Sequence, residues 1–182
     1  MRLTNEHREE IARRAIAHGF DVREALLRKE ENALAARVYD LAYPAAVRRA
    51  MKALPPGFLD TKDSIFARTG GESHWLHFAK GMPVGNLETV RLAADDKLAV
   101  EIAAHARRSE ACAAEKRTAC REVAAVLASV ATLVRLIEVW PEVESFTEGV
   151  GGGGKPVTAL AKPIKAINVA LGLPPGEKAV TL

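Results

Sequence analysis

From residue 87 to residue 139 the chain contains neither glycine nor proline, and fourteen alanines fall between Glu88 and Val139. Alanine is the strongest helix former, and the two residues that interrupt helices are missing. The spacing therefore predicts helix over 87–139, opened by Asn86 as N-cap and closed by Trp140-Pro141. Drawn straight, such a helix would run for ~80 Å, whereas a folded domain of this chain length has a radius of gyration near ~16 Å. The segment must protrude, bend or fold back as an antiparallel pair. A break is expected at Arg107-Arg108-Ser109-Glu110; the alternative is a protruding helix that joins a second copy of the chain as a homodimer. Cys120, Val123, Leu127, Val130, Val134 and Ile137 follow a 3-4 spacing and supply a seam for either arrangement. Traced backwards, the seam meets Ser109 and Lys116 and weakens.

Composition bears on how much core the remainder can build. Of 182 residues 48% are hydrophobic, but 33 are alanine and only nine are aromatic. Alanine adds little buried area per residue, so a helix-rich chain with a thin core is expected. Collagen-like, mucin-like and wholly disordered chains are excluded by the apolar content and the low net charge of +3. Lys and Arg outnumber Asp and Glu by eleven to eight over residues 1–54 and balance at fifteen each over 55–182. That surplus permits contact with nucleic acid without implying it. Cys112 and Cys120 lie eight residues apart in the predicted helix, about 12 Å along its axis, too far for a disulfide within one straight helix. A reducing compartment follows. No stretch has signal-peptide character or membrane-span length, so a soluble, cytoplasmic protein with no membrane contact is expected.

The fold class expected is mainly α with one small β-hairpin (α+β). Residues 5–18 read as an amphipathic helix, started by Thr4 or Asn5 and stopped by Gly19. A second begins at Asp21, with Glu24 completing a capping box and Val22, Leu26, Ala33, Leu34, Val38 and Leu41 turned inward. A third starts at Pro44 and ends before Leu54-Pro55-Pro56-Gly57. Ser64 to Thr69, Gly70-Gly71, then Glu72 to Phe78 reads as a hairpin, with Phe66 opposite Trp75 and Ile65 opposite Leu76. Phe58, Phe66, Trp75 and Phe78 concentrate the aromatics here, as a small core or a binding surface. One helical domain is expected over 1–148, with the hairpin inserted near 64–78, then a glycine linker over 149–154 and a C-terminal segment over 155–182 holding a short helix from Pro163 to Leu171.

Chemistry-bearing patterns are sparse. Gly149 to Lys155 has the glycine and lysine spacing of a phosphate-binding loop, but Pro156 stands where that loop needs Ser or Thr, so a linker is the simpler reading. His74 and His77 on a strand would point to opposite faces, and His105, Cys112 and Cys120 are spaced too widely along a helix to share one ion. No nucleophile elbow is present, and paired carboxylates such as Asp95-Asp96 read as solvated helix faces. No catalytic residue, metal or cofactor is expected. Arg13, Arg14, Arg48, Arg49 and Lys52 are candidate phosphate contacts, and helices 5–18 and 22–38 joined through His18 to Asp21 have helix-turn-helix spacing. Glu9-Glu10, Glu24, Glu30-Glu31 and Asp40 are interleaved with them, which is also the pattern of an ordinary solvated helix surface.

Met1-Arg2-Leu3-Thr4-Asn5 with Arg8-Glu9-Glu10-Ile11, the Leu54-Pro55 break, Thr132-Leu133 through Trp140-Pro141-Glu142, and the Leu173-Pro174 tail together resemble a family of small tailed-bacteriophage proteins, nucleotide modification associated domain 5. The resemblance implies a phage setting in a bacterial host's cytoplasm, beside base-modification genes, and brings no catalytic residues. The expectation is an accessory or host-takeover protein that binds a host or phage macromolecule, most simply a protein such as a host-defence component. Phe66, Trp75, Phe78 and the long helix would be its contact surface. The alternative is a nucleic-acid-binding accessory of phage DNA modification using the five basic residues.

Overall fold

Helix α1 runs unbroken from Asn5 to Ala42 in a computed structural model of the chain that describes residues 1–85, 89–149 and 161–174. Its start is the one the sequence suggested. Thr4 Oγ1 accepts from the His7 backbone N–H at 3.2 Å while His7 Nδ1 accepts from the Thr4 N–H at 3.3 Å, a reciprocal cap on two otherwise unpaired donors. The stop expected at Gly19 does not occur, which removes the helix-turn-helix spacing: two helices, not three, precede the Leu54-Pro55 breaker. An interior glycine costs a helix only about 1 kcal/mol relative to alanine. Here its missing side chain makes room, because a Cβ on Gly19 would stand 2.8 Å from Leu171 Cα. Helix α2, Ala45–Lys52, follows Pro44 as expected.

Strands β1 (Asp60–Thr69) and β2 (Glu72–Val84) form the hairpin in the expected register, Phe66 opposite Trp75 and Ile65 opposite Leu76. Gly70 and Gly71 take φ of 53° and 101°, which L side chains rarely adopt. The ladder extends beyond 64–78 on both strands, past an irregularity between Lys62 and Ser64. A Cβ on Gly81 would lie 2.4 Å from Thr61 Cγ2, so the Thr61 side chain fills the space that a side chain at 81 would need. A third strand, β3 (Val90–Leu92), pairs parallel with β1, giving the order β2-β1-β3.

That third strand corrects the helix expected over 87–139. Helix α3 spans Lys97–Ser129 and runs straight through Arg107 to Glu110, where a break was expected. Its start is set by Asp96, whose Oδ1 accepts from the Leu98 N–H at 2.7 Å. The Asp95-Asp96 pair is thus partly a cap rather than only a solvated face. Helix α4 (Leu133–Val139) is capped by Thr132, whose side chain accepts from the Arg135 N–H. Between them Arg2 bridges Thr132, Leu3 N–H donates to Ala131 O at 2.9 Å, and Leu133 N–H donates to Met1 O at 3.0 Å. A 3-10 turn over Pro141–Phe146 and helix α5, Ala161–Leu171, complete the described elements. The expected N-cap Asn86, the glycine run and Lys155 after Gly149, and the tail beyond Pro174 lie outside the described residues.

The chain groups into two compact units, Met1–Arg23 with Ala111–Leu182, and Glu24–Glu110. In the first, the core holds Ile11, Phe20, Val123, Leu136, Trp140, Val143, Ile167 and Leu171. Cys120 of the expected seam is exposed, with Ala119 and Val126 buried beside Val123, Leu127 and Val130. The helix therefore turns a slightly different face inward, one where alanine permits close packing. Both cysteines are free thiols. In the second unit, Leu34, Ala35, Val38 and Tyr39 of α1 pack with Ile65, Ala67 and Leu76 of the sheet and Leu98 and Ile102 of α3. Val22, Leu26 and Leu41, expected inside, are more than half exposed. Among the described residues no helix is long and apolar enough to cross a membrane.

Candidate functional site

Alternation along β1 and β2 divides the sheet into two faces with different jobs. Ile65, Ala67, Leu76 and Phe78 face the core of the second unit, where Phe78 meets Tyr39 edge-on at 5.7 Å. The Tyr39 hydroxyl donates to Pro83 O at 2.6 Å and fixes that contact. The opposite face carries Phe66 and Trp75, ring centroids 4.9 Å apart and tilted 53°. Trp75 is 64% exposed. Of the three aromatics named from sequence, two therefore form one surface and Phe78 lies behind it.

Two arginines complete that outer face. Arg68 is two residues from Phe66 on β1 and so projects to the same side, and Arg91 of β3 is its register partner. Both are exposed. Neither makes an ion pair among the described residues. Ser73, opposite Arg68, is exposed beside them, and His77, opposite Ser64, is exposed at the other end of this face. Sequence reasoning missed Arg91 because Val90 to Leu92 was read as helix. Arg68 was legible in the alternation of Ser64, Phe66 and Arg68 with Ile65, Ala67 and Thr69.

The five basic residues singled out from sequence do not form one patch within either unit. In the first unit Glu10 accepts from Arg13 at 2.8 Å and from Arg14 at 2.6 Å, and these guanidinium groups, Arg13 foremost, hold its carboxyl down at about 2. Arg14 also donates to Glu148 O at 2.6 Å. In the second unit Arg48 pairs with Asp40, while Arg49 and Lys52 are exposed on α2.

One cleft, of about 430 Å³, lies within the second unit and is lined by Glu30, Arg37, Glu101 and Arg108. Each of these charges is answered: Arg37 pairs with Glu101, Arg108 with Glu30, and the buried His105 places Nδ1 3.3 Å from Glu30 Oε2. The hydrogen bond from Arg108 holds the Glu30 carboxyl below the usual carboxylate range, and that from Arg37 does the same for Glu101. The cleft is thus an ion-paired clamp between α1 and α3, and its half-exposed pairs contribute modestly. No group of three or more His, Cys, Asp or Glu among the described residues is placed to hold a metal ion.

The fold is that of a mainly helical α+β protein, with a small sheet packed on helices by one face and open on the other. The chain belongs to the nucleotide modification associated domain 5 family, whose model matches residues 2–174. Its role is therefore one associated with nucleotide modification. No curated protein and no solved structure matches the chain.

Proposed function

We propose that the protein is a non-catalytic accessory, encoded by a tailed phage and acting in the host cytoplasm, that binds a host or phage macromolecule through the outer face of its sheet. The observation that carries this reading is the Phe66–Trp75 pair, half-buried Phe66 against exposed Trp75. A tilted aromatic pair with one ring left open to water is the kind of feature that marks interaction sites. The family's association with nucleotide modification supplies the setting. In the charged cleft the acids and bases answer one another.

A photo-reactive side chain at Ser73, beside the aromatic pair, tests the reading in cells expressing the protein. Macromolecular adducts should form from position 73 and not from Lys29, an exposed position on α1. Equal yields from both positions, or none from 73, would overturn it.

A further inference from the structure

We infer that the occupant of the outer sheet face is a single strand of nucleic acid, its bases stacked on Phe66 and Trp75 and its phosphates held by Arg68 and Arg91. This rests on the preceding reading and adds the chemistry of the partner.

Two observations point the same way. The first is the aromatic step, Phe66 and Trp75 at 4.9 Å between centroids, on the solvent side of a sheet whose other side is core. Every base has a π-face, so an open aromatic step accepts unpaired bases with little regard to sequence. The second is the arginine pair. Arg68 and Arg91 occupy register positions on neighbouring strands, where like charges repel, and no carboxylate among the described residues pairs with either. On α1, by contrast, Arg13, Arg14 and Arg37 are answered by carboxylates. An anion bridging the two guanidinium groups would relieve this repulsion, and arginine presents a planar donor fork suited to phosphate oxygens.

Stacking surface and phosphate donors stand two residues apart along β1, on the same face, so consecutive nucleotides can use both. A duplex fits poorly, since its bases are already stacked on one another and present no free π-face to the aromatic pair. Exposed Ser73 and His77 add hydrogen-bonding groups at the margin.

Binding of a twelve-residue oligothymidylate and of the matching oligouridylate, followed by tryptophan fluorescence and by anisotropy of a labelled strand, tests the inference. A twelve-base-pair duplex and a poly-glutamate of equal charge serve as comparators. At low salt at least one single strand should bind and quench Trp75, whereas fully enclosed Trp140 should not respond. Trp75→Ala should weaken binding about ten-fold or more, as loss of one stacked base does, and Trp75→Phe should restore most of it. The pair Arg68→Gln with Arg91→Gln should flatten the dependence of log affinity on log salt by about 1.4, two phosphates at about 0.7 each for a single strand. Arg28→Gln, at an exposed position on α1, should change neither. Circular dichroism and melting of each variant confirm that it is folded.

No single-strand binding at low salt, tighter binding of the duplex or of poly-glutamate, or indifference to Trp75→Ala in a folded variant would each overturn the inference. Protease-sensitive, nuclease-resistant adducts from position 73 would overturn it too, while leaving the broader binding role standing.

Discussion

The indole N–H of Trp140 donates to Asn168 Oδ1 at 2.9 Å, and both residues are fully enclosed. Asn168 in turn donates from Nδ2 to Pro174 O at 3.3 Å, so one side chain joins the residue after α4 to the segment beyond α5. A buried donor left without its acceptor loses about 1–3 kcal/mol. Asn168→Ala should therefore lower the unfolding free energy by about that amount, and Asn168→Asp by more because it buries a charge. Urea denaturation monitored by Trp140 emission measures both; an Asn168→Ala midpoint equal to the parent's would refute the role.

Gly19→Ala is expected to destabilise the protein, against the helix propensity gain of about 1 kcal/mol. The added Cβ would stand 2.8 Å from Leu171 Cα and 2.9 Å from its Cδ2, and the backbone contact leaves no side-chain escape. Overpacking of this kind costs about 1–3 kcal/mol. A melting temperature raised above the parent's would show that α5 yields instead.

Arg8 reaches from α1 to the end of α3, donating from Nε to Leu127 O and from Nη2 to Val130 O, each at 3.0 Å. It satisfies carbonyls that a helix C-terminus otherwise leaves unpaired and opposes the negative end of the helix dipole. Arg8→Gln should cost about 1–2 kcal/mol, on the scale of a charged hydrogen bond in a half-buried place. Faster amide exchange over residues 127–131 is the local signature to look for; unchanged exchange there would count against this cap.

Acid should weaken the first unit through Glu10. Its carboxyl titrates at about 2 in the fold, against 4.5 for the free side chain, because Arg13 and Arg14 bind the ionised form. A lowered folded value means that the unfolded chain takes up the proton first. The stabilisation is present above about 4.5 and is lost as pH falls toward about 2. Melting temperatures between pH 5 and pH 2 should decline less steeply for Glu10→Gln than for the parent, and parallel declines would contradict the assignment.

How far these features were legible in the sequence follows from the range of the forces involved. The hairpin register was readable because Gly-Gly sets the turn and alternation does the rest, so Phe66 falls opposite Trp75 by counting. The two ends of α3 were not, because attention to glycine and proline overlooked Asp96 and Thr132, whose side chains cap α3 and α4. Both signals were available locally. The exposure of Val22 and Leu26 was not, since a helix with apolar residues around much of its circumference does not declare which of them will find neighbours.

What the sequence determined by itself is the helical bulk of the chain, its starts at Thr4 and Pro44, and the two-faced hairpin, all of which arise from contacts a few residues apart. Tertiary structure decided the rest. Gly19 is interior to a helix because of Leu171, 152 positions away in the chain. Arg91 joins Arg68 because β3, built from residues equally compatible with helix, pairs with β1. Phe78 turns to Tyr39 while Trp75 stays in water, because among the described residues helices pack on one face of the sheet and leave the other uncovered. Local preference sets what each segment can be; burial against distant partners decides which face remains free to bind.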